Sequence, residues 1–222
     1  HYAAVLHDFG KIGVREHVLT KGSKVTADRL EVLRLRLELQ KREVPEAERA
    51  EVESKLDDDY QFLVTLNKKG FIKDDELVRL KGLRERGVID EADFINLSVK
   101  KGNLTETELE DMRSHAEMTN AILREIPWPT RLNRVPEIAG SHHEKLNGEG
   151  YPNKLPAEKI PIESRILAVA DIYDALTAQD RPYKPAIPHE KAKNILGFMV
   201  KDGELSANLV DLFFAKECYE IR

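Results

Sequence analysis

Apolar positions along the chain recur at intervals of three and four, and β-branched alternation is rare, so the pattern predicts helices throughout and an all-α class. "HYAAVLHDFGKIGV" reads as the end of a buried helix entering a turn at Gly10 and Gly13. "TADRLEVLRLRLELQKREV" follows an N-cap at Thr26 or Asp28. In "PEAERAEVESKLDDDYQFLVTLN", Pro45 is expected at the first helical position, and Val52, Leu56, Tyr60 and Leu63 share one face. Together the two segments predict a charged helical hairpin. Short helices follow, punctuated by "NKKG", "RERG" and "VKKG". "LTETELEDMRSHAEMTNAILREI" opens on a capping box, Thr105 with Glu108, and predicts a helix to about Ile126. "PWPTRLNRVP" is a proline-broken connector into the short helix of "RVPEIAGSHHE". "IPIESRILAVADIYDALTAQ" is the most apolar helix, with Ile166, Leu167, Val169, Ala170 and Leu176 expected in the core. "HEKAKNILGFMVKDGELSANLVDLFFAKE" supplies two closing helices around a break at Gly203.

One internal echo bears on organisation. "HVLTKGSKVT" resembles "NLSVKKGNLT", so the segment between them reads as an excursion that returns the chain to where it left. The 222 residues suffice for one large domain or two small ones. A formal net charge of −5 argues against a nucleic-acid polymer as partner. A small anionic ligand remains open, because local charge and bound metal decide that. The single cysteine, Cys218, excludes an internal disulfide and a thiolate metal cluster, so a reducing, cytoplasmic setting is expected. No apolar run reaches the roughly 18–20 residues of a membrane span, and no signal peptide is visible. The opening lacks a Met and a helix start, and reads as a piece of a longer polypeptide.

The candidate chemistry lies in histidines and aspartates. Asp171 sits in a helix apolar on nearly every side, with no Lys or Arg three or four residues away. A buried carboxylate needs a cation or donors, which a metal, a neighbouring helix end or a distant arginine would each supply. His7 is followed at once by Asp8, and a pair near a helix end is able to serve two neighbouring ions with the carboxylate between them. His142 and His143 are adjacent in "GSHHEKLNGEGYP", which read alone fits a solvated loop as well as a site. Imidazoles and carboxylates without thiolates favour Fe, Mn or similar ions in a site of two or three metals.

Taken in order, "HDFGK", His115, "HHEKLNGEGYP" and "AVADIYDALTAQDRPYK" closely resemble the HD-GYP family, a branch of the HD metal-dependent phosphohydrolases. The resemblance covers roughly residues 1–20 and 95–222. It implies an HD-type helical bundle, residues 1–23 and 97–222; the long helical hairpin of residues 24–96 departs from the short connector of the family and reads as an insertion that mediates dimerisation or gates the site, or equally as a peripheral decoration. The implied activity is hydrolysis of the bacterial second messenger cyclic di-GMP to linear pGpG and/or GMP, through two or three divalent ions, Fe or Mn. His7, Asp8, His115, His142, His143 and Asp171 match the metal ligands, with Asp8 as the bridging carboxylate. Lys11 would face a phosphate beside Asp8 in catalysis. Gly150, Tyr151 and Pro152 would shape the wall of the substrate site, and Arg181 and Lys184 would hold the ligand's phosphates or guanine. A homodimer, an upstream sensor domain and a diguanylate cyclase are the implied protein partners. Two other readings stand beside this one: a non-catalytic cyclic di-GMP receptor or docking module, and a phosphohydrolase for another cyclic dinucleotide. The family's further Glu and His ligands precede the HD pair and fall outside the sequence read here.

Overall fold

The computed structural model describes residues 1–46, 49–178 and 186–220. The side chains of Glu43 and Arg49 are not described. The regular structure among the described residues is helical, with a single isolated bridge between Phe71 and Lys101 as the only strand-like pairing among them. No helix among them is long and apolar enough to cross a membrane. In chain order the helices are α1 (Tyr2–Leu6), α2 (Glu16–Leu19), α3 (Ala27–Glu43), α4 (Arg49–Asn67), α5 (Asp74–Glu85), α6 (Glu91–Leu97), α7 (Glu106–Arg124), α8 (Val135–Gly140), α9 (Ile162–Thr177), α10 (His189–Lys201) and α11 (Ala207–Ala215). They fall into two compact units, one of residues 1–19 with 110–222 and the other of residues 20–109.

In the unit of residues 20–109, α3 and α4 pack along each other around a core of Leu33, Leu37, Leu56, Leu63, Leu66, Leu80 and Leu83. Val52 and Tyr60 lie against this core, so the face predicted for α4 is the one it buries. Pro45, expected to open α4, lies in the connector before it. The two echoing segments lie side by side. The fully buried Lys24 donates from Nζ to the carbonyls of Val99 and Gly102 at 2.6 and 2.7 Å, and Asn103 Nδ2 donates to the Lys21 carbonyl. An ammonium buried against two carbonyls without a carboxylate is held below its usual range, to about 8, first by burial and then by the charge of Lys21.

The other unit carries two small cores. Ala3, Leu123, Val135 and Ala139 join α1, α7 and α8. Ala168, Val169, Leu196, Leu205 and Val210 join α9, α10 and α11. Ile166, expected in the core, is 52% exposed. An apolar helix with apolar residues on most of its circumference does not announce which face it buries, and α9 turns Leu167 and Val169 inward instead. Ser164 ties α9 to α8 through a hydrogen bond to the Ile138 carbonyl at 2.9 Å. In the unit of residues 20–109 the Thr105–Glu108 capping box is present, with the Thr105 amide donating to Glu108 Oε2 at 2.8 Å.

Candidate metal centre

Three histidines are held in the same way. His7 caps the C-terminal end of α1, His115 lies within α7 and His142 follows α8. In each the ring Nδ1 meets the carbonyl three residues earlier: Ala4 at 2.7 Å, Met112 at 2.6 Å and Ala139 at 2.6 Å. A carbonyl only accepts, so Nδ1 carries a proton and Nε2 is turned inward. All three Nε2 atoms are buried and none has a hydrogen-bond partner of acceptable geometry. A buried imidazole nitrogen without a partner is costly, and three of them beside two carboxylates form a donor set that a divalent cation satisfies.

The carboxylates face these nitrogens. Asp8 heads the 3-10 turn of Phe9–Gly13 and splits its two oxygens. Oδ1 lies 3.4 Å from His115 Nε2 and 4.0 Å from His142 Nε2, while Oδ2 lies 3.3 Å from His7 Nε2 and 2.5 Å from Lys11 Nζ. Asp171 Oδ1 lies 3.4 Å from His7 Nε2. One donor atom each from Asp8, His115, His142 and His143 all lie within 4.8 Å of one another, and so do those of His7, His142 and Asp171. His142 is common to both groups. Asp171 is thus half-buried, and its described partner is His7 rather than an arginine.

The electrostatics follow. The Asp171 carboxylate, then that of Asp8, raises His7 to about 10 against the opposing effect of burial. Burial lowers His115, takes His142 down to about 4, and with the neighbouring His142 and His115 takes His143 down to about 3. Burial pushes the Asp8 and Asp171 carboxyls upward, but contacts with His7, and for Asp8 also Lys11, outweigh it and hold both below the usual carboxylate range. The centre therefore offers neutral imidazoles and ionised carboxylates at neutral pH, with one protonated histidine between two acids.

Backbone geometry holds these groups together. Gly10 packs so closely on α7 that a Cβ there would lie 2.0 Å from the His115 carbonyl oxygen. Thr119, one turn beyond His115 and fully buried, donates to the His7 carbonyl at 2.9 Å and accepts from the Gly10 amide at 2.9 Å. The turn after the paired histidines is closed by Glu144, whose oxygens accept the amides of Asn153 and Leu155 at 2.7 and 2.9 Å. Gly150 lies against the Glu144–Lys145 backbone, where a Cβ would come within 2.3 Å of the Lys145 nitrogen. The Tyr151 amide donates to the His143 carbonyl at 3.2 Å, its ring stacks on His143 at 4.7 Å, and the bond to Pro152 is cis. Motif reasoning assigns Thr119 and Glu144 no role. Their signals are the four-residue spacing from His115 and an acid directly after the paired histidines. Arg181 and Lys184 lie outside the described residues.

Helices that converge histidines and aspartates on one buried centre define a helical protein that binds divalent metal. Residues 92–208, more than half of the chain, match the HD domain family. A cyclic di-GMP phosphodiesterase of Vibrio cholerae serotype O1 is 42% identical over 102 residues, 44% of this chain and 20% of that protein. A 3'3'-cGAMP-specific phosphodiesterase of the same organism is 42% identical over 98 residues, again 44% of this chain and 20% of that protein. A cyclic di-GMP phosphodiesterase of Thermotoga maritima is 43% identical over 94 residues, 42% of this chain and 25% of that protein. The chain thus matches only a fifth to a quarter of the length of these relatives. It belongs to the HD domain family, in its HD-GYP branch.

Proposed function

We propose that this chain is the catalytic part of a cytoplasmic, metal-dependent phosphodiesterase that opens cyclic di-GMP to linear pGpG and cuts it on to GMP. The observation that carries the reading is the convergence of three buried Nε2 atoms, those of His115 and His142 without a hydrogen bond and that of His7 in ion-pair contact only, on Asp8 and Asp171. His7, Asp8, His115, His142, His143 and Asp171 would hold two ions, and donors without thiolates favour Fe or Mn. Ions held there would polarise the phosphodiester and lower the pKa of a bound water. Asp8, with one oxygen toward each group of histidines, fixes the spacing between them. Lys11 keeps its ammonium on Asp8 and its side chain partly exposed, which would let a phosphodiester oxygen meet its positive charge. Tyr151, stacked on His143, would form a wall of the substrate site with the turn around it. Arg181 and Lys184 are assigned to the remainder of the ligand.

The names of the Vibrio cholerae relatives favour one second reading, a cyclic dinucleotide carrying both guanine and adenine as the substrate. The test is turnover of cyclic di-GMP and 3'3'-cGAMP by protein loaded with Mn or Fe, followed by chromatography. Preferential opening of cyclic di-GMP is the expected result. Preference for 3'3'-cGAMP selects the second reading, and tight binding with no product from either makes the chain a receptor.

We also infer that the insertion of residues 24–96, within the unit of residues 20–109, pairs two copies of the chain. On α3, Leu33 and Leu37 face the core, while Val32, Leu35 and Leu39 form an exposed stripe on the opposite side. Glu31 and Glu38 flank one edge of that stripe, and Arg29 and Arg36 the other. In a parallel two-fold pair Glu31 meets Arg36 of the second copy, whose own contacts to Asp90 and Asp93 are long, at 3.4 and 3.6 Å. An antiparallel pair sets like charges together. Light scattering is expected to give a concentration-dependent dimer that Leu35→Asp with Leu39→Asp converts to monomer without changing turnover per chain. A parent chain that is monomeric at every concentration refutes the pairing.

A further inference from the structure

Around the metal centre the charges are largely committed. Asp8 and Asp171 are answered by His7 and Lys11. Arg15 pairs with Asp111 at 2.7 Å. Among the described residues, one cation at the rim has no acid opposite it. Arg113, on α7 two residues before His115, has no carboxylate partner among the described residues. Two residues apart on a helix, Arg113 and His115 leave by different faces. The long Arg113 side chain nevertheless reaches the Tyr151 ring, with Cζ 5.7 Å from its centroid. That ring in turn stacks on His143, a member of the first donor group. Arg113 is exposed, so the guanidinium rests on an aromatic body while its N–H edge stays in solvent. The sequence from the buried centre outward is therefore His143, Tyr151, Arg113.

We propose that Arg113 is a substrate-binding residue that takes the second phosphodiester of a cyclic dinucleotide while the first lies at the metal centre. The assignment rests on the reading above that the substrate is a cyclic dinucleotide. Such a molecule carries two phosphodiester anions in one ring. Hydrolysis engages one of them with the ions and Lys11, and the other is left to cations at the rim, where Arg113 acts beside the Arg181 and Lys184 already assigned to the remainder of the ligand. A guanidinium is weakly hydrated and presents paired N–H donors to phosphate oxygens. Tyr151 holds it without consuming those donors. The site's specificity for a two-phosphate ring over a simple diester then comes from this rim residue together with the turn that carries Tyr151.

The test compares Arg113→Gln and Arg113→Lys with the parent, each loaded with Mn, on cyclic di-GMP and on bis(p-nitrophenyl) phosphate, which has one phosphodiester. Arg113→Gln is expected to raise KM for cyclic di-GMP about tenfold or more with kcat little changed. Its kinetics on the single diester and its metal content are expected to match the parent, and Arg113→Lys to recover part of the loss. Unchanged KM for cyclic di-GMP, or an equal loss on both substrates, overturns the assignment while leaving the phosphodiesterase reading intact. A parent that cleaves the single diester but neither cyclic di-GMP nor 3'3'-cGAMP overturns that reading, and the assignment to Arg113 with it.

Discussion

Glu144 accepts the Asn153 amide at 2.7 Å, so the acid that follows the paired histidines also holds the far end of the turn they begin. The Leu155 amide takes its other oxygen at 2.9 Å. Between these anchors lie Gly150 and Tyr151, and Tyr151 packs on His143. Glu144→Ala leaves two backbone donors without their acceptor and is expected to cost about 1–3 kcal/mol in urea unfolding. Glu144→Gln keeps one acceptor oxygen and is expected to lose about half as much. A Glu144→Ala protein of parental stability would show that the turn holds itself.

Thr119 makes a second clasp, between the end of α1 and α7. Thr119→Val is nearly isosteric and deprives the Gly10 amide and the His7 carbonyl of their shared hydroxyl, at an expected cost of about 1–3 kcal/mol. Thr119→Ser retains both bonds and should lie close to the parent. Because the clasp fixes where His7 and Asp8 point, Thr119→Val is also expected to bind Mn more weakly by about tenfold, within the range for residues that orient metal ligands. Equal Mn affinity in the Val and Ser variants, measured by titration, would separate the clasp from the centre. Gly10→Ala should be worse than either, since its Cβ meets backbone rather than a flexible side chain.

Motif order alone gathers His7, Asp8, His115, His142, His143 and Asp171, although the HD pair and His115 are more than a hundred residues apart. Residue types with few alternative uses carry that information. Thr119 and Glu144 escape it because their partners are backbone groups, and any Thr or Glu is equally able to face water. Helix existence is legible from period and capping, as at Thr105, but the buried face of α9 is not, because Ile166 and Leu167 are equally apolar. Pro45 shows the same limit at a boundary: proline suits a first turn and the connector before it alike. The echo between the segments near residues 20 and 100 is the least conspicuous signal, yet the bonds of Lys24 to Val99 and Gly102 bring those segments together.

The split of Asp8 predicts unequal effects of the two acids on metal content. Its oxygens face nitrogens of both donor groups, whereas the described ion pair of Asp171 is to His7 alone. Asp171→Ala is expected to lose one ion and keep the group of Asp8, His115, His142 and His143 loaded. Asp8→Ala is expected to lose both, and His142→Ala likewise, since its ring is shared. Turnover of cyclic di-GMP should fall by more than about a hundredfold in the Asp8 and His142 variants, beyond the loss typical of residues that only orient ligands. Elemental analysis alongside turnover checks this, and identical stoichiometry in the Asp8 and Asp171 variants would contradict the bridging position.

Proton linkage makes metal binding depend on pH. In metal-free protein Asp171 and Asp8 raise His7 to about 10, so it is protonated at neutral pH. Coordination through Nε2 must displace that proton, whereas His142 and His143, lowered to about 4 and 3 by burial, have none to give. Mn binding near pH 7 should therefore release about one proton, and log affinity should rise by about one per pH unit between roughly pH 6.5 and 8.5. Stability of the chelated protein follows the same groups. His7, with a raised folded-state value, stabilises fully below its ordinary 6.5 and loses that contribution as pH rises toward about 10. His142 and His143, with depressed values, resist protonation that the unfolded chain accepts, so stability also falls as pH drops from about 6.5 toward 4 and 3. Calorimetry in buffers of different ionisation enthalpy reads the proton directly. A release near zero would mean that His7 either enters the metal-free state neutral or does not ligate.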